Sequence, residues 1–282
     1  MSSSTREILA FCHIEKAAGT SLIHVLRQLF GTSYIDVRPI SRGQHSFFDR
    51  ADFELLDSFV PRIRCIGGHS VVPHSSLLDA DANFRFLTLF REPKSRVLSH
   101  YKFWVQRMGS NYGPEEFLRH PVANNFQVRK IAGSDDLAKA MAVIRDRFLL
   151  VGTIEEFDEF LVLLKGLLNQ QVDKILYRPK NIASDNQALQ LPQGFHERVA
   201  ELNDLDRELY AWVKNELIPE HINHYGAGFD EDLEAFKQML SDPDTRPAKA
   251  IPSLIMRRAY VRPVTGLIRR WNGMPYSGSY AD

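Results

Sequence analysis

The segment HIEKAAGTS, residues 13–21, combines a lysine, a glycine and two hydroxyl side chains between an apolar run and a stretch of helical periodicity. A helix that begins here presents unpaired backbone N–H groups and positive potential, an environment that binds phosphate-like anions. Small residues let the backbone approach a ligand closely, while ammonium and hydroxyl groups donate to it. A plain strand–turn–helix corner is the alternative. The candidate ligands are Lys16, Ala18, Gly19, Thr20 and Ser21.

A second polar segment, FREPKSRVLSHY at residues 90–101, follows another apolar run. Arg91 lies at the carboxyl end of this predicted strand, and open α/β sheets bind ligands at that edge. Its planar guanidinium group matches the oxygens of a phosphate, and the Ser99 hydroxyl, two helical turns later, can donate to the same group. An ion pair of Arg91 with Glu92 or Glu155 is the alternative.

His69 is one candidate for a general base. It follows Gly67 and Gly68 at the end of a short apolar run. A histidine side chain titrates in the range that proton removal from a hydroxyl group requires. His74 and Glu15 are the alternative bases, and a structural histidine is the interpretation without catalysis.

Four apolar runs are predicted to form buried strands, and helical patterns alternate with them. The runs are residues 8–14, 63–66, 84–90 and 148–151. This alternation predicts βαβ units and therefore an α/β fold: a P-loop-like parallel β-sheet flanked by helices on both faces. The order of the strands does not follow from their spacing.

The rest of the chain predicts a long polar loop at residues 177–193 and one long helix at 195–217. With 282 residues, of which 44% are hydrophobic and 25% charged, the composition is that of an ordinary globular protein. We expect one α/β domain, residues 1–243, and a basic C-terminal extension, residues 244–282.

The formal net charge is zero, which argues against a broad nucleic-acid-binding surface. The first residues lack the pattern of a signal peptide, and no apolar stretch reaches the length of a membrane span. The two cysteines, Cys12 and Cys65, are interpreted as buried reduced thiols. We therefore expect a cytoplasmic protein. No HxxxH, CxxC or acidic cluster points to a metal cofactor.

Together these segments resemble the carbohydrate sulfotransferases that use 3′-phosphoadenylyl sulfate (PAPS), in particular the heparan sulfate 2-O-sulfotransferase type. Residues 13–21 are similar to the family's 5′-phosphosulfate loop, commonly written HIPKTGGTS, and residues 90–101 to its 3′-phosphate segment. The resemblance covers about residues 8–215. Three further segments fit in the same order: NFQVRKIAG at 125–133, FLLVGTIEEF at 148–157 and LNDLDRELY at 202–210.

The resemblance implies a sulfotransferase that moves a sulfuryl group from PAPS to a hydroxyl of a carbohydrate or glycoconjugate. It implies that Lys16 stabilises the leaving phosphate and that His69 is the general base. Glu15 and Ala18 depart from the pattern, since the family has proline and glycine there. The implied donor ligands are Lys16, Gly19, Thr20 and Ser21 at the 5′-phosphosulfate, and Arg91 and Ser99 at the 3′-phosphate.

Several side chains near these segments have structural interpretations. His13 is expected to satisfy backbone groups, and His100 to support the phosphate segment by packing. Arg96 is either a phosphate ligand or part of a structural ion pair. Trp104 is either a core residue or part of a platform for a sugar. The other members of that platform would be Tyr101, Arg107 and Tyr112.

The tail from residue 245 to 282 has seven Lys/Arg residues and one acid. It predicts a basic amphipathic helix that Pro263 interrupts. The tail either packs on the domain with a solvated arginine face, or attracts an anionic acceptor or a membrane surface.

Two other functions remain as alternatives, a P-loop-type nucleotide kinase and a non-catalytic nucleotide-binding module. The kinase is disfavoured because the lysine precedes Gly-Thr-Ser, whereas a Walker A loop ends in Gly-Lys-Ser/Thr.

Overall fold

A computed structural model describes residues 6–41, 46–60, 62–178 and 191–274 of the chain. Within them, five parallel strands form one sheet in the order β2-β3-β1-β4-β5. The predicted parallel α/β fold is therefore confirmed. The strands are β1 (Glu7–Cys12), β2 (Tyr34–Asp36), β3 (Cys65–Gly68), β4 (Asn83–Phe90) and β5 (Phe148–Thr153).

Helices flank the sheet, as the alternation of strands and helical patterns predicts. They are α1 (Gly19–Phe30), α2 (Arg50–Phe59), α3 (Pro93–Lys102), α4 (Pro114–Arg119), α5 (Phe126–Ala132), α6 (Leu137–Arg147), α7 (Phe157–Leu167), α8 (Phe195–Glu201), α9 (Asp204–Trp212), α10 (Ile218–Tyr225), α11 (Phe229–Ser241), α12 (Ile251–Ile255) and α13 (Arg262–Trp271). Three π-helical segments continue α3, α9 and α12, namely Phe103–Arg107, Val213–Leu217 and Met256–Val261. Short 3₁₀ turns lie at Gly31–Ser33, Ser76–Asp79, Pro121–Ala123 and Val172–Ile175.

The main core lies between the sheet and these helices. A strand that is covered on both faces has a nearly continuous apolar sequence. Strands β1 and β4 have such sequences, and almost every side chain in them is buried. A second, smaller apolar cluster joins α3, α4 and α8. Cys12 and Cys65 are buried free thiols, as predicted, and burial raises the pKa of Cys12 to about 12. The cytoplasmic location stays a prediction.

The structure differs from the sequence-based prediction in two elements. Strand β2 was not predicted, because its three residues at the sheet edge are too few to form a recognisable apolar run. The single helix predicted at 195–217 is wrong, because α8 ends and α9 begins around Asn203. The buried Asn203 amide donates to the Ala123 and Val199 carbonyls at 2.7 and 2.9 Å. Most of the loop predicted at 177–193 lies outside the described residues.

The carboxyl ends of β1 and β4 form the edge on which the candidate segments lie. These strands are neighbours, but the chain leaves β1 toward β2 and leaves β4 toward β5 on the opposite side. Where successive connections diverge in this way, an open α/β sheet has a crevice that binds ligands. The loop before α1 and the turn before α3 both lie at this crevice.

Candidate active site

The loop between β1 and α1 has the backbone of an anion-binding turn. Lys16 and Ala18 have positive φ values of 70° and 52°, and Ala18 is the N-cap of α1. The Ala18 methyl group cannot cap the helix, and the first turn of α1 contains no acidic side chain. The amino-terminal end of this 12-residue helix therefore keeps its positive potential.

Three basic side chains surround this loop. Arg91 Nη1 donates to the Lys16 carbonyl at 3.1 Å, and Lys16 Nζ lies 4.3 Å from the centre of the Phe103 ring. Burial lowers the pKa of Lys16, and the neighbouring charges of Arg91 and Arg107 lower it further. Like charges brought together in a partly buried place favour an anion between them.

Arg91 is held by its backbone rather than by an ion pair. The fully buried Gln127 accepts from Arg91 N at 3.0 Å and donates to Arg91 O at 2.9 Å. Burial lowers the pKa of the guanidinium group, with Glu155 and Glu92 opposing that shift. Neither carboxylate forms an ion pair with Arg91 in the described part of the chain, and Arg91 Nε is buried there without a hydrogen-bond partner. The geometry thus favours the anion-binding interpretation over the ion-pair alternative.

The remaining predicted donor ligands lie on the two helices that follow these strands. Thr20 is exposed and Ser21 is buried in the first turn of α1, and Ser99 is half-buried in the second turn of α3. Gly19 has a packing role that the sequence did not indicate. A Cβ atom on Gly19 would lie 1.7 Å from His13 Nε2, so only glycine fits against that ring.

His69 forms a small charged cluster with Glu15 and Lys130. Its Nδ1 lies 3.3 Å from the His13 carbonyl oxygen and 3.4 Å from Glu15 Oε1. Lys130 Nζ donates to the His69 carbonyl at 2.6 Å and lies 3.4 Å from Glu15 Oε1. Two acceptors at Nδ1 favour the tautomer with its hydrogen there, so that Nε2 carries the lone pair that accepts a proton.

Glu15 remains ionised in this cluster. Burial alone would raise its pKa, but the charges of Lys130 and His69 outweigh that effect and bring the pKa below its ordinary value. The negative charge that departs from the family pattern is therefore paired with a buried lysine.

A cleft of about 600 Å³ opens beside this cluster. His69 and Glu15 form part of its wall, together with aromatic and polar side chains suited to a sugar-sized molecule. These further lining residues are Asp36, Arg38, Phe47, His74, Phe126, Arg129 and Lys130.

The other histidines near the site have weaker geometry for proton transfer. The His13 ring is buried and stacks on His69 with 3.9 Å between ring centres, and burial lowers its pKa. The predicted backbone hydrogen bonding of His13 is wrong for Nδ1, which has no partner among the described residues. His74 lies half-buried in the cleft wall, its ring 5.0 Å from that of Phe47, and burial lowers its pKa as well.

Arg96, His100 and Trp104 have structural environments. Arg96 is fully buried and donates to the Val122 carbonyl at 2.5 Å, and its side chain forms no ion pair within the described residues. Its alternative role as a phosphate ligand stays a prediction. Burial lowers the pKa of His100 to about 3, and Trp104 packs against it in the second apolar cluster. Tyr101 is buried, whereas Arg107 and Tyr112 are exposed, so the sugar platform stays a prediction. Phe47 and Phe126 are the phenylalanines that line the cleft.

Two helices behind the site cap each other, a role that sequence reasoning missed. Asp206 of α9 accepts from the backbone N–H groups of Gln127 and Val128 in α5, at 3.1 and 2.8 Å. Asn125 Oδ1 accepts in return from Leu205 N and Asp206 N, at 3.1 and 3.3 Å. These residues lie in the segments 125–133 and 202–210, which the family resemblance had already picked out. Nothing in the sequence indicated that the two segments are in contact.

Comparison with known proteins finds sequence similarity to carbohydrate sulfotransferases. The Homo sapiens galactose-3-O-sulfotransferase 3 is 25% identical over 256 residues, which cover 79% of this chain and 51% of that protein. The Mus musculus protein of the same name is 25% identical over 202 residues, covering 62% and 44%. The Homo sapiens galactosylceramide sulfotransferase is 34% identical over 179 residues, covering 55% and 40%.

The chain is similar in sequence to carbohydrate sulfotransferases. It spans about half the length of the curated carbohydrate sulfotransferases that it matches. No protein-family model matches the chain. The predicted resemblance to PAPS-dependent carbohydrate sulfotransferases is confirmed, whereas the narrower likeness to the heparan sulfate 2-O type stays a prediction. Among the described residues, no group of three or more His, Cys, Asp or Glu side chains is placed to hold a metal ion.

Proposed function

We propose that this chain is an enzyme that moves a sulfuryl group from PAPS to a hydroxyl group of a galactose-containing carbohydrate or glycolipid. One observation carries the proposal: the loop between β1 and α1 contacts both the candidate base and the basic side chains that would bind the donor. The His13 carbonyl of this loop contacts the candidate base His69, and its Lys16 carbonyl accepts a hydrogen bond from Arg91. Arg91 forms a cation cluster with the side chains of Lys16 and Arg107. The names of the relatives, which specify galactose and galactosylceramide, support the acceptor class.

The cation cluster is suited to a donor with two separated phosphates. PAPS, when bound, supplies the sulfuryl group. The start of α1 and the Lys16 ammonium hold its 5′-phosphosulfate and offset the charge that develops on the phosphate side. Arg91 and Ser99 hold the 3′-phosphate, and the Gln127 amide keeps Arg91 at the end of β4. Thr20 and Ser21 add hydroxyl donors at the helix start.

His69 acts on the acceptor. Glu15 and the His13 carbonyl hold the hydrogen on Nδ1, and Nε2 takes the proton of the acceptor hydroxyl as its oxygen attacks. The imidazolium that results is stabilised by the ionised Glu15. The 600 Å³ cleft holds the acceptor, with Phe47 and Phe126 as apolar surfaces for a sugar ring.

The direct test is to incubate the full chain with PAPS and either lactose or galactosylceramide, and to detect the added sulfuryl group by mass spectrometry. We expect a PAPS-dependent product that His69→Ala lowers by about 10²–10⁴-fold. His196→Ala, which removes an exposed histidine of α8, is the matched control and should leave the rate unchanged.

Two outcomes would contradict the proposed activity, and a third would contradict the assignment of the base. Binding of the nucleotide without any product would indicate a non-catalytic module. Mg²⁺-dependent turnover of ATP in place of sulfation would indicate a kinase. A normal rate in His69→Ala would move the base to His74 or Glu15.

A further inference from the structure

The C-terminal extension forms one helical rod on the surface of the domain. Helix α12, the π-helical segment Met256–Val261 and α13 follow each other without a gap, from Ile251 to Trp271. Pro263 does not end the rod as predicted, because it lies in the first turn of α13, where a missing N–H is tolerated. Residues 275–282 lie outside the described part of the chain.

Several polar side chains of the rod form hydrogen bonds or ion pairs with the domain. Arg257 Nε lies 2.7 Å from Asp36 Oδ2, and the Tyr260 hydroxyl donates to the Phe59 carbonyl at 2.8 Å. Arg269 donates to the Pro39 carbonyl, and the Asn272 amide donates to the Ile40 carbonyl at 2.8 Å. The predicted packing on the domain is therefore confirmed, but part of the predicted solvated arginine face lies against it.

The outward surface of the rod is an apolar stripe instead. Every fourth residue from 251 to 271 is apolar and exposed. Leu267 is 68% exposed and Trp271 83% exposed, large fractions for side chains of this size. The members of the stripe are Ile251, Ile255, Ala259, Pro263, Leu267 and Trp271.

The charged side chains of the C-terminal segment itself are all positive. The exposed Arg258 and Arg270 adjoin the stripe, and residues 245–274 contain seven Lys/Arg and no Asp or Glu. A second copy of the chain stacked on the stripe would bring these arginines against each other without a carboxylate to pair with them. A bilayer with anionic headgroups fits both features, because it accepts apolar side chains at its surface and attracts the arginines around them.

The rod that carries the stripe lies next to the acceptor cleft. The rod is bonded to the chain section from Asp36 to Ile40, and Asp36 and Arg38 of that section line the cleft. A bilayer in contact with the stripe would thus lie beside the cleft that contains His69. Among the described residues, no helix is both long enough and apolar enough to span a membrane.

From these observations we infer that the stripe docks on an anionic membrane surface and brings the cleft to sugars carried by lipids. The acceptor part of this inference rests on the proposed function, whereas the docking itself does not. It differs from a spanning segment, since the helix would lie in the plane of the interface with its arginines among the headgroups.

Docking is measured by co-sedimentation of the full chain with vesicles of phosphatidylcholine alone or mixed with phosphatidylserine. We expect binding to the mixed vesicles that weakens with salt. Leu267→Asp should lower the partition coefficient about tenfold or more, and Arg270→Glu roughly tenfold. The matched controls are Leu167→Asp and Arg119→Glu, which change an exposed leucine of α7 and an exposed arginine of α4.

Each outcome bears on the inference. Absence of binding to the mixed vesicles, or equal losses in the controls, would overturn it. Light scattering that finds a dimer, which Leu267→Asp separates, would overturn it in favour of a second copy. For transfer, Leu267→Asp should raise the KM for galactosylceramide in vesicles and leave the KM for lactose unchanged. Vesicle binding without any sulfation would contradict the proposed function but leave the docking intact.

Discussion

Glu15 stands where the related loop pattern has a proline, and its carboxylate contacts the proposed base. It lies 3.4 Å from both His69 Nδ1 and Lys130 Nζ. A proline could neither orient the imidazole ring nor stabilise its charged form. In the proposed mechanism Glu15 is therefore a positioning residue that acts through His69.

Replacement of this carboxylate should change the pH dependence of transfer. The lowered pKa of Glu15 keeps it ionised where histidine titrates. Without that negative charge, the protonated ring is less stable, so the ring loses its proton at a lower pH. We expect the acid limb of the kcat profile to move to lower pH in Glu15→Gln, with a lower maximum because a less basic imidazole is a weaker general base.

The measurement compares the pH dependence of kcat in Glu15→Gln with that of the unaltered chain. Glu15→Asp is the conservative control. The aspartate variant keeps the charge and should restore part of the original profile. A lower rate with an unmoved acid limb in Glu15→Gln would mean that Glu15 supports only the loop.

Gly19 is constrained by the His13 ring rather than by its own backbone angles. A methyl group there would overlap His13 Nε2 and displace the ring that stacks on His69. We expect Gly19→Ala to lower the free energy of unfolding by about 1–3 kcal/mol, the usual cost of overpacking. Urea denaturation measures this change.

Gly266→Ala is the matched control for this substitution. A Cβ on Gly266 meets no other part of the described chain within 4 Å, and alanine is the better helix former. It should be neutral or stabilising by up to about 1 kcal/mol. Equal destabilisation by both substitutions would show that the His13 contact is not the cause.

Residue types near strand ends made part of the site predictable. The Lys16 loop and Arg91 follow long apolar runs, and the resemblance to a known family pointed to His69. Lys130 and Gln127 were not predictable in their roles, because both act across sequence separations of 36 residues or more. Such contacts depend on how α5 packs against the ends of β1 and β4.

At the scale of elements, the alternation of strands and helices predicted the parallel sheet. It predicted neither the edge strand β2 nor the break between helices α8 and α9. The apolar runs of β1 and β4 are long because both faces are covered, and this makes them visible in the sequence. Strand β2 is three residues long, and the break between α8 and α9 depends on the Asn203 amide. Tertiary hydrogen bonds of this kind override local periodicity.

Helix α5 contacts both the end of β4 and helix α9 through Gln127. The Gln127 side chain is bonded to the backbone of Arg91, and its backbone N–H donates to Asp206. Gln127→Leu would leave the backbone N–H and C=O of Arg91 without their partners. We expect a loss of about 1–3 kcal/mol in the free energy of unfolding and weaker binding of 3′,5′-adenosine bisphosphate, since the Arg91 side chain is then poorly held. Denaturation and calorimetric titration provide the two measurements.

The control for this variant is Gln238→Leu on the exposed surface of α11. It should change stability by no more than about 0.5 kcal/mol and leave nucleotide binding as it was. If Gln127→Leu weakened stability but not nucleotide binding, Arg91 would not be a ligand of the nucleotide.

At the scale of the whole molecule, the two halves of the donor site are brought together from distant parts of the chain. Lys16 follows β1 and Arg91 follows β4, and only the pairing of these two strands makes them neighbours. The cleft and the C-terminal rod lie on the other side of β1, around β2 and β3. The division of the chain at residue 243 stays a prediction, although the rod is bonded to the domain.

A donor site made of two separated parts should distinguish nucleotides by their phosphates. 3′,5′-Adenosine bisphosphate carries a group for each part, whereas AMP lacks the 3′-phosphate that Arg91 and Ser99 would hold. A ligand that binds only the native state raises the midpoint of thermal unfolding in proportion to RT ln(1 + [L]/Kd). We therefore expect a clear rise in Tm with the bisphosphate and a much smaller rise with AMP, measured by scanning fluorimetry at equal concentrations. In Arg91→Ala the difference between the two nucleotides should become much smaller, because only Ser99 then remains to hold the 3′-phosphate. Arg119→Ala, an exposed arginine of α4, should keep the difference. Equal shifts with both nucleotides in the unaltered chain would remove the case for a 3′-phosphate site at the end of β4.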